Sequence, residues 1–386
     1  MRIKLSSNNV FQYLFNIGLY TEKDMQSMKA YPINGNSLII SLEGEYQLVV
    51  KQENSYSNNI DKTIINEYSL YQFLQSSHEF DCHSFLDIEI LHFDQLNSIL
   101  TYKYSKNYID LESYYINKKN LTQEVAESLG ITLADLHSQT MNSQTCQDFM
   151  KKRIAGELCY QFYLPVHLQD RLEPETLFGL RPESYKIIGL YQQSGKLKSA
   201  LKELLASQKS CCLTHNNLQS YNILMTEKWD VLLSKNSPNK KDIIIKLINW
   251  ENSSWGDPAW DVGAAISSYL LLWLNSLISH SDIPLEESLR LATRPLEIIQ
   301  PLNLILARSY ISKFPEILEY YPNFLQRVVQ FAGFGLIYSI IMMIQSFKGA
   351  NKNSIYIVQV AKSLLCRPEK SFKSVFGITE SELVNF

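Results

Sequence analysis

The first hundred residues alternate short β-like apolar runs with turn punctuation, the pattern of strands. Leu38 to Leu42 and Tyr46 to Lys51 flank Glu43-Gly44-Glu45 and read as a β-hairpin. Ile64, Ile65, Tyr68, Leu70, Tyr71 and Leu74 then recur near helical spacing, which predicts an amphipathic helix over Lys62 to Gln75. Leu86 to Phe93 and Ser98 to Tyr104 predict a second pair of strands. The expected order is therefore strand-strand-helix-strand-strand.

From about Ser105 the period lengthens. Helical patterning covers Thr122 to Ser138, Gln147 to Leu164 and Lys186 to Ala206, the last through Ile187, Ile188, Leu190, Tyr191, Leu197, Leu201 and Leu204. One β island lies between Cys212 and Trp250, where Ile223-Leu224-Met225 and Ile243 to Ile248 flank the polar loop Ser234 to Asp242. After Asp261 helices resume, with breaks at Pro284, Pro295, Pro301, Pro315 and Pro322. The expected class is α+β, with a small β-rich N-lobe over residues 1–104 and a larger, mainly helical C-lobe over residues 105–386. The apolar stretches Ala264 to Leu274 and Phe331 to Ile344 contain Ser, Tyr or Gly and fall short of the roughly 20 residues a bilayer needs, so buried helices are expected there.

Composition narrows the function classes. The chain has 386 residues, 45% of them hydrophobic, enough for a substantial core. Its 36 basic and 39 acidic residues leave a net charge of −3, and basic runs such as Lys118-Lys119 and Lys240-Lys241 are short. Neither nucleic acid nor a membrane surface is expected as a partner. The six cysteines show no CxxC spacing and read as reduced thiols of a cytoplasmic protein. Consistent with that location, the N-terminus turns polar at Ser6 to Asn9 and has no sustained apolar segment. His78, His83 and His92 surround Cys82 at spacings that match no zinc pattern.

The densest chemistry lies in three blocks: Leu213-Thr-His-Asn-Asn-Leu-Gln-Ser-Tyr-Asn-Ile-Leu224, Ile248-Asn-Trp-Glu251 and Gly256-Asp-Pro-Ala-Trp-Asp261. Together they resemble the H-G-D-x-x-x-x-N, I-D-W-E and G-D-P-x-x-D run of the aminoglycoside phosphotransferase and choline kinase families. His215, Asn222, Ile248, Trp250, Glu251, Gly256, Asp257, Pro258 and Asp261 match in order and spacing. Upstream, Leu48-Val-Val-Lys51 resembles the strand that delivers a phosphate-binding lysine, and Glu67 suits its ion-pair partner. Leu100-Thr-Tyr-Lys-Tyr104 is hinge-like, and Leu133-Ala-Asp-Leu-His137 resembles the helix before the catalytic loop, with His137 a packed residue.

The resemblance implies a bilobal, protein-kinase-like fold and phosphoryl transfer to a hydroxyl with ATP and Mg²⁺ as cofactors. It implies that Lys51 and Glu67 meet the nucleotide, that Gly35 and Ser37 lie in the loop Asn34-Gly35-Asn36-Ser37 covering it, and that His215 belongs to the catalytic loop. By the same resemblance Asn217 stands at the base position, and Asn222 and Asn249 stand at the metal positions with Glu251 beside them. Asp257 and Asp261 are expected to anchor the catalytic loop and the following helix start. Two identities depart from the pattern. Asn217 replaces the base aspartate, and loss of a general base typically removes about 10²- to 10⁴-fold of rate. Asn249 replaces the metal aspartate, keeping a carbonyl oxygen but no negative charge.

Three readings of function follow. The first is a pseudokinase-like, catalytically impaired protein that binds a peptide, a small molecule or a partner enzyme. The resemblance adds a setting for it, since phosphotransferase-like subunits accompany lyase-like partners in some peptide natural-product pathways. The second is an active ATP-dependent phosphotransferase acting on a hydroxyl of a small molecule or of a peptide Ser or Thr, with Lys51, Asn222 and Glu251 carrying most of the work. A third is different chemistry on the same fold, such as nucleotidyl transfer. Acceptor specificity is expected from the helices over Ala264 to Phe347, where Tyr269, Trp273, Tyr310, Tyr320 and Tyr321 read first as core.

Overall fold

A computed structural model describes residues 3–25, 28–33, 37–41, 46–53, 63–117, 121–152, 180–227, 229, 245–278, 285–347, 349–350 and 353–385. Five strands, β1 (Lys29–Ile33), β2 (Ser37–Ser41), β3 (Tyr46–Gln52), β4 (Glu89–Asp94) and β5 (Ile99–Ser105), form an antiparallel sheet in the order β1-β2-β3-β5-β4. Because successive strand residues point to opposite faces, β3 serves two cores. Leu48 and Val50 pack with Leu38, Ile40 and Ile99 against Val10, Tyr13 and Leu14 of the helix Val10–Asn16. Val49 lies on the other face, in one cluster with Leu100, Tyr102 and with Leu70, Tyr71 and Leu74 of the helix Thr63–Ser76. Lys51 shares the parity of Val49, so the strand period itself turns the lysine toward that helix.

The sheet departs from expectation at its margins. A strand, β1, precedes the anticipated pair and contains Pro32. It pairs with β2 alone, and an edge strand tolerates a residue without an N–H. The tip Glu43-Gly44-Glu45 of the anticipated hairpin lies outside the described residues, while its arms pair as β2 and β3 with Ile39 opposite Val49. β4 begins at Glu89 rather than Leu86, because Cys82–Ser84 form a 3-10 turn and Phe85, Leu86 and Ile88 are consumed by the core. Its register shifts between Ile90 and His92, a β-bulge.

Five short strands follow: β6 (Tyr108–Asp110), β7 (Cys212–Thr214), β8 (Ile223–Thr226), β9 (Ile245–Leu247) and β10 (Ser254–Gly256). β6, β8 and β9 form one sheet in that order, and β7 pairs antiparallel with β10. These ribbons hold the segment that carries the three motif blocks. Behind them packs a helical body built on Gln123–Thr140, Pro258–Asn275, Leu296–Lys313, Phe324–Phe347 and Ser354–Cys366. Gly263 sets the closest approach within it, since a side chain there would come within 2.6 Å of Phe331 Cβ and 2.8 Å of the Val328 carbonyl oxygen.

Three helical expectations change. The helix anticipated over Lys186 to Ala206 is two, Pro182–Gln193 and Gly195–Ala206, broken at Ser194 with φ −89° and ψ 84°. That anticipated over Gln147 to Leu164 appears as Gln144–Lys152, and residues 153–179 lie outside the described set, as does the loop Ser234 to Asp242. The apolar stretch at Phe331 to Ile344 is longer than expected. Phe324–Ile344 spans 21 residues with a mean hydropathy of 1.7, which satisfies the length and composition of a membrane span. Yet 72% of its most apolar window is buried inside the fold, and Phe324, Val328, Phe331, Phe334 and Leu336 are fully enclosed, the setting of a central core helix.

Candidate functional site

β3 and the helix Thr63–Ser76 bring Lys51 and Glu67 together. The ammonium of Lys51 donates to both carboxylate oxygens of Glu67, at 2.9 and 2.7 Å, and to Oε2 of Glu251 at 3.0 Å. Glu67 is fully buried and also accepts from the Tyr71 hydroxyl at 2.5 Å and the Trp250 backbone N–H at 3.1 Å. Burial works against the Lys51 charge, but Glu251 and Glu67 together outweigh it and hold its pKa above the ordinary lysine value. Burial pushes the Glu251 carboxyl up, with Lys51 opposing. Burial, reinforced by Glu67, also raises the Tyr71 phenol, which keeps its proton and donates it.

Ser37 begins β2 directly opposite Lys51 in the register. Gly35 and its neighbours Asn34 and Asn36 lie outside the described residues.

The loop from His215 to Asn222 is held from below by Asp261. One carboxylate oxygen accepts the His215 N–H at 2.7 Å and the other the Asn216 N–H at 2.9 Å, and His137 Nε2 lies 3.2 Å from the first. All four groups are buried. His137 is packed between Asp261 and the Tyr310 hydroxyl, 2.9 Å from its Nδ1. Asp257 caps the helix Pro258–Asn275 by accepting from the Ala259 N–H at 3.0 Å, and pairs with the buried guanidinium of Arg327. Both carboxylates thus anchor the loop and the helix start.

His215 is fully buried, with its ring against Trp250 at 4.6 Å between centroids. Its Nδ1 accepts the Asn217 N–H at 3.2 Å, which leaves Nε2–H to donate to the Ile248 carbonyl at 2.9 Å. Burial lowers its pKa, so the ring is neutral and both nitrogens are spent on backbone. Its work is to join the two motif loops.

Asn216 is a functional position that sequence reading passed over. It occupies the place of the motif glycine with φ +61°, a left-handed conformation that Asn tolerates better than most residues. Its amide donates to the Asn252 carbonyl at 2.9 Å and to Ser254 Oγ at 2.7 Å, tying the loop to β10. The H-G-D to His-Asn-Asn difference was the available signal.

Asn217 is half-buried, and its carbonyl accepts the Asn222 side-chain N–H at 2.7 Å. Asn249 also lies in the left-handed region, at φ 66° and ψ 59°. From there its Nδ2 donates to Asn222 Oδ1 at 2.5 Å. The three asparagines therefore form a chain, Asn249 to Asn222 to the backbone of Asn217.

No family model and no curated protein sequence matches this chain. Solved structures do. A mutant of aminoglycoside 2'-phosphotransferase-IIIa in complex with GDP matches with a TM-score of 0.50 at 12% identity, over 95% of this chain and 98% of that one. The chain has the fold of the aminoglycoside phosphotransferases. The same enzyme type in complex with GDP and kanamycin gives a TM-score of 0.50 at 12% identity, over 93% and 97% of the two chains. A choline/ethanolamine kinase family protein from Mesorhizobium loti gives 0.47 at 14% identity, over 96% and 99%.

Within this fold the positions of the asparagine chain can be tested against a divalent cation. Mg²⁺ takes oxygen ligands in near-octahedral order and relies on one or two carboxylates. Here Asn222 Oδ1 already accepts from Asn249, and the nitrogen rather than the oxygen of Asn249 is turned to it. The nearby carboxylate of Glu251 is spent on Lys51. Among the described residues no group of three or more His, Cys, Asp or Glu side chains could hold a metal ion. The arrangement does not fit Mg²⁺.

Proposed function

We propose that this chain uses the phosphotransferase fold as a binding scaffold, with phosphoryl transfer lost or severely reduced. Its role is then to engage a peptide, a small molecule or a partner enzyme as a soluble cytoplasmic protein, such as the accessory subunit of a peptide-modifying assembly. The observation that carries this reading is the asparagine chain. A carboxamide at Asn217 accepts no proton from an acceptor hydroxyl, a loss of about 10²- to 10⁴-fold where a general base matters. At Asn222 and Asn249 an amide hydrogen bond stands where the resemblance implies a cation. The rest of the frame supports binding: Asp261, Asp257 and His215 keep the loops rigid and in register through buried hydrogen bonds.

The opposing reading is an ATP-dependent phosphotransferase acting on a hydroxyl, and the intact Lys51 and Glu67 pair at 2.7 Å speaks for it. ADP formation from Mg²⁺-ATP separates the two. The scaffold reading expects no ADP above the protein-free rate, with or without a peptide or aminoglycoside acceptor. ADP formation that depends on the acceptor, on Mg²⁺ and on Asn222 would instead establish the phosphotransferase.

A further inference from the structure

Away from the motif loops the helical body holds an open cleft. It lies where the helices Pro258–Asn275, Leu296–Lys313, Ser354–Cys366 and Pro368–Phe376 meet, and its volume is about 250 Å³. Ser268 marks the opposite face of the first helix, since its hydroxyl meets the Leu218 carbonyl, in the loop from His215 to Asn222, at 3.4 Å. At about 100° per residue, Leu270 and Trp273 are turned roughly 200° and 140° from Ser268, so the cleft faces away from that loop.

The floor is apolar: Leu270, Leu364 and Val375 are buried, and Trp273, Leu296 and Val360 are half-buried. Gln359, Ser363 and Ser374 form an exposed rim. The Gln359 amide, these two hydroxyls and the Trp273 indole N–H make no hydrogen bond among the described residues. Lys362, Lys370 and Lys373 are exposed on the same helices, but no charged side chain lines the cleft. Its walls are tied in place. Gln300 Nε2 donates to the Lys373 and Ser374 carbonyls at 2.8 and 3.1 Å, the buried Asn303 Nδ2 to the Val375 carbonyl at 3.0 Å, and Ser371 Oγ to the Arg367 carbonyl at 2.9 Å. The last helix cannot slide in to fill the space without stranding the Asn303 amide.

We propose that this cleft binds a neutral, compact aromatic molecule of two fused rings that carries one hydrogen-bonding group. Size sets the ring number, since an apolar cavity of about 150 Å³ takes one benzene. The uncharged lining excludes an ion, whose desolvation nothing there would offset. Trp273 supplies an aromatic wall, and the unused rim groups orient the one polar group of the ligand. The site stands whichever reading of the asparagine chain holds.

The test is calorimetric titration with 1-naphthol and with 1-naphthoate, an anion on the same rings, against wild type, Ser363→Trp and Ser374→Trp, each checked for a cooperative thermal transition. The two substitutions set a large ring at the exposed rim and leave the floor intact. Wild type is expected to bind 1-naphthol at about 1 mM or tighter, and 1-naphthoate at least about tenfold more weakly. At least one rim variant is expected to lose at least about tenfold in 1-naphthol affinity. Methyl NMR of wild type locates the ligand independently, with shifts expected at Leu270, Val360, Leu364 and Val375. Absence of 1-naphthol binding by wild type, equal binding of the anion, folded rim variants that bind as wild type does, or methyl shifts that miss these four residues would each overturn the proposal.

Discussion

Two kinds of acidic position fall within the stretch from His215 to Asp261, and they have different occupants. Asp257 and Asp261 keep their carboxylates, both buried, each receiving at least two backbone N–H groups and one side-chain partner. The two positions that the resemblance assigns to chemistry carry amides, Asn217 and Asn249, and these are half-buried. The contrast separates shape from reaction. A buried N–H without an acceptor costs about 1–3 kcal/mol, so the anchoring carboxylates are held by folding itself. No contact among the described residues requires a carboxylate at 217, whose bonds to His215 and Asn222 run through its backbone, or at 249, whose amide donates to Asn222, and neither leaves a buried charge to compensate.

That contrast can be broken by stability measurements. Asp261→Ala strands two backbone N–H groups and the His137 ring, and Asp257→Ala leaves Arg327 buried without its carboxylate. Each is expected to cost about 3–5 kcal/mol in denaturant titration. Asn217→Asp, at a chemistry position, is expected to change stability by less than about 1 kcal/mol. Comparable losses at 217 and 261 would erase the distinction between anchor and reaction position.

A smaller effect comes from His215. Burial lowers its folded pKa below the ordinary 6.5, so the unfolded chain binds the proton more readily and stability rises with pH across that interval. This contribution is complete above about pH 6.5 and is lost as pH falls toward the lowered value, at no more than about 1.4 kcal/mol per pH unit. His215→Gln is expected to flatten that slope in thermal melts between pH 5 and 7. An unchanged slope would place the titrating group elsewhere.

The sequence made some of this legible and hid the rest for physical reasons. β3 and its lysine could be read because Leu48-Val49-Val50 is a short apolar run bounded by the turn Glu43-Gly44-Glu45, and Glu67 because it lies on the next helix. β1 could not, since Pro32 argues against a strand anywhere but an edge. β6 and β10 have three residues each, too few for a period to register. The break at Ser194 was masked because Ile187, Leu197 and Leu201 keep helical spacing across it. At the site, the identities of Asn217 and Asn249 were plain, but the bond between Asn249 and Asn222 depends on a left-handed backbone that no periodicity reveals. The pairing of Lys51 with Glu251 joins residues 200 positions apart and follows only from the packed fold.

The central claim is that the asparagine chain replaces a cation site. Its most direct test is a Mn²⁺ titration followed by electron paramagnetic resonance, with ADP present, on wild type and Asn249→Asp. Wild type is expected to leave the free Mn²⁺ signal at the level of a protein-free ADP blank at stoichiometric protein, whereas the added carboxylate at 249 lowers it below that blank. Stoichiometric Mn²⁺ binding by wild type, lost on Asn222→Ala, would contradict the account.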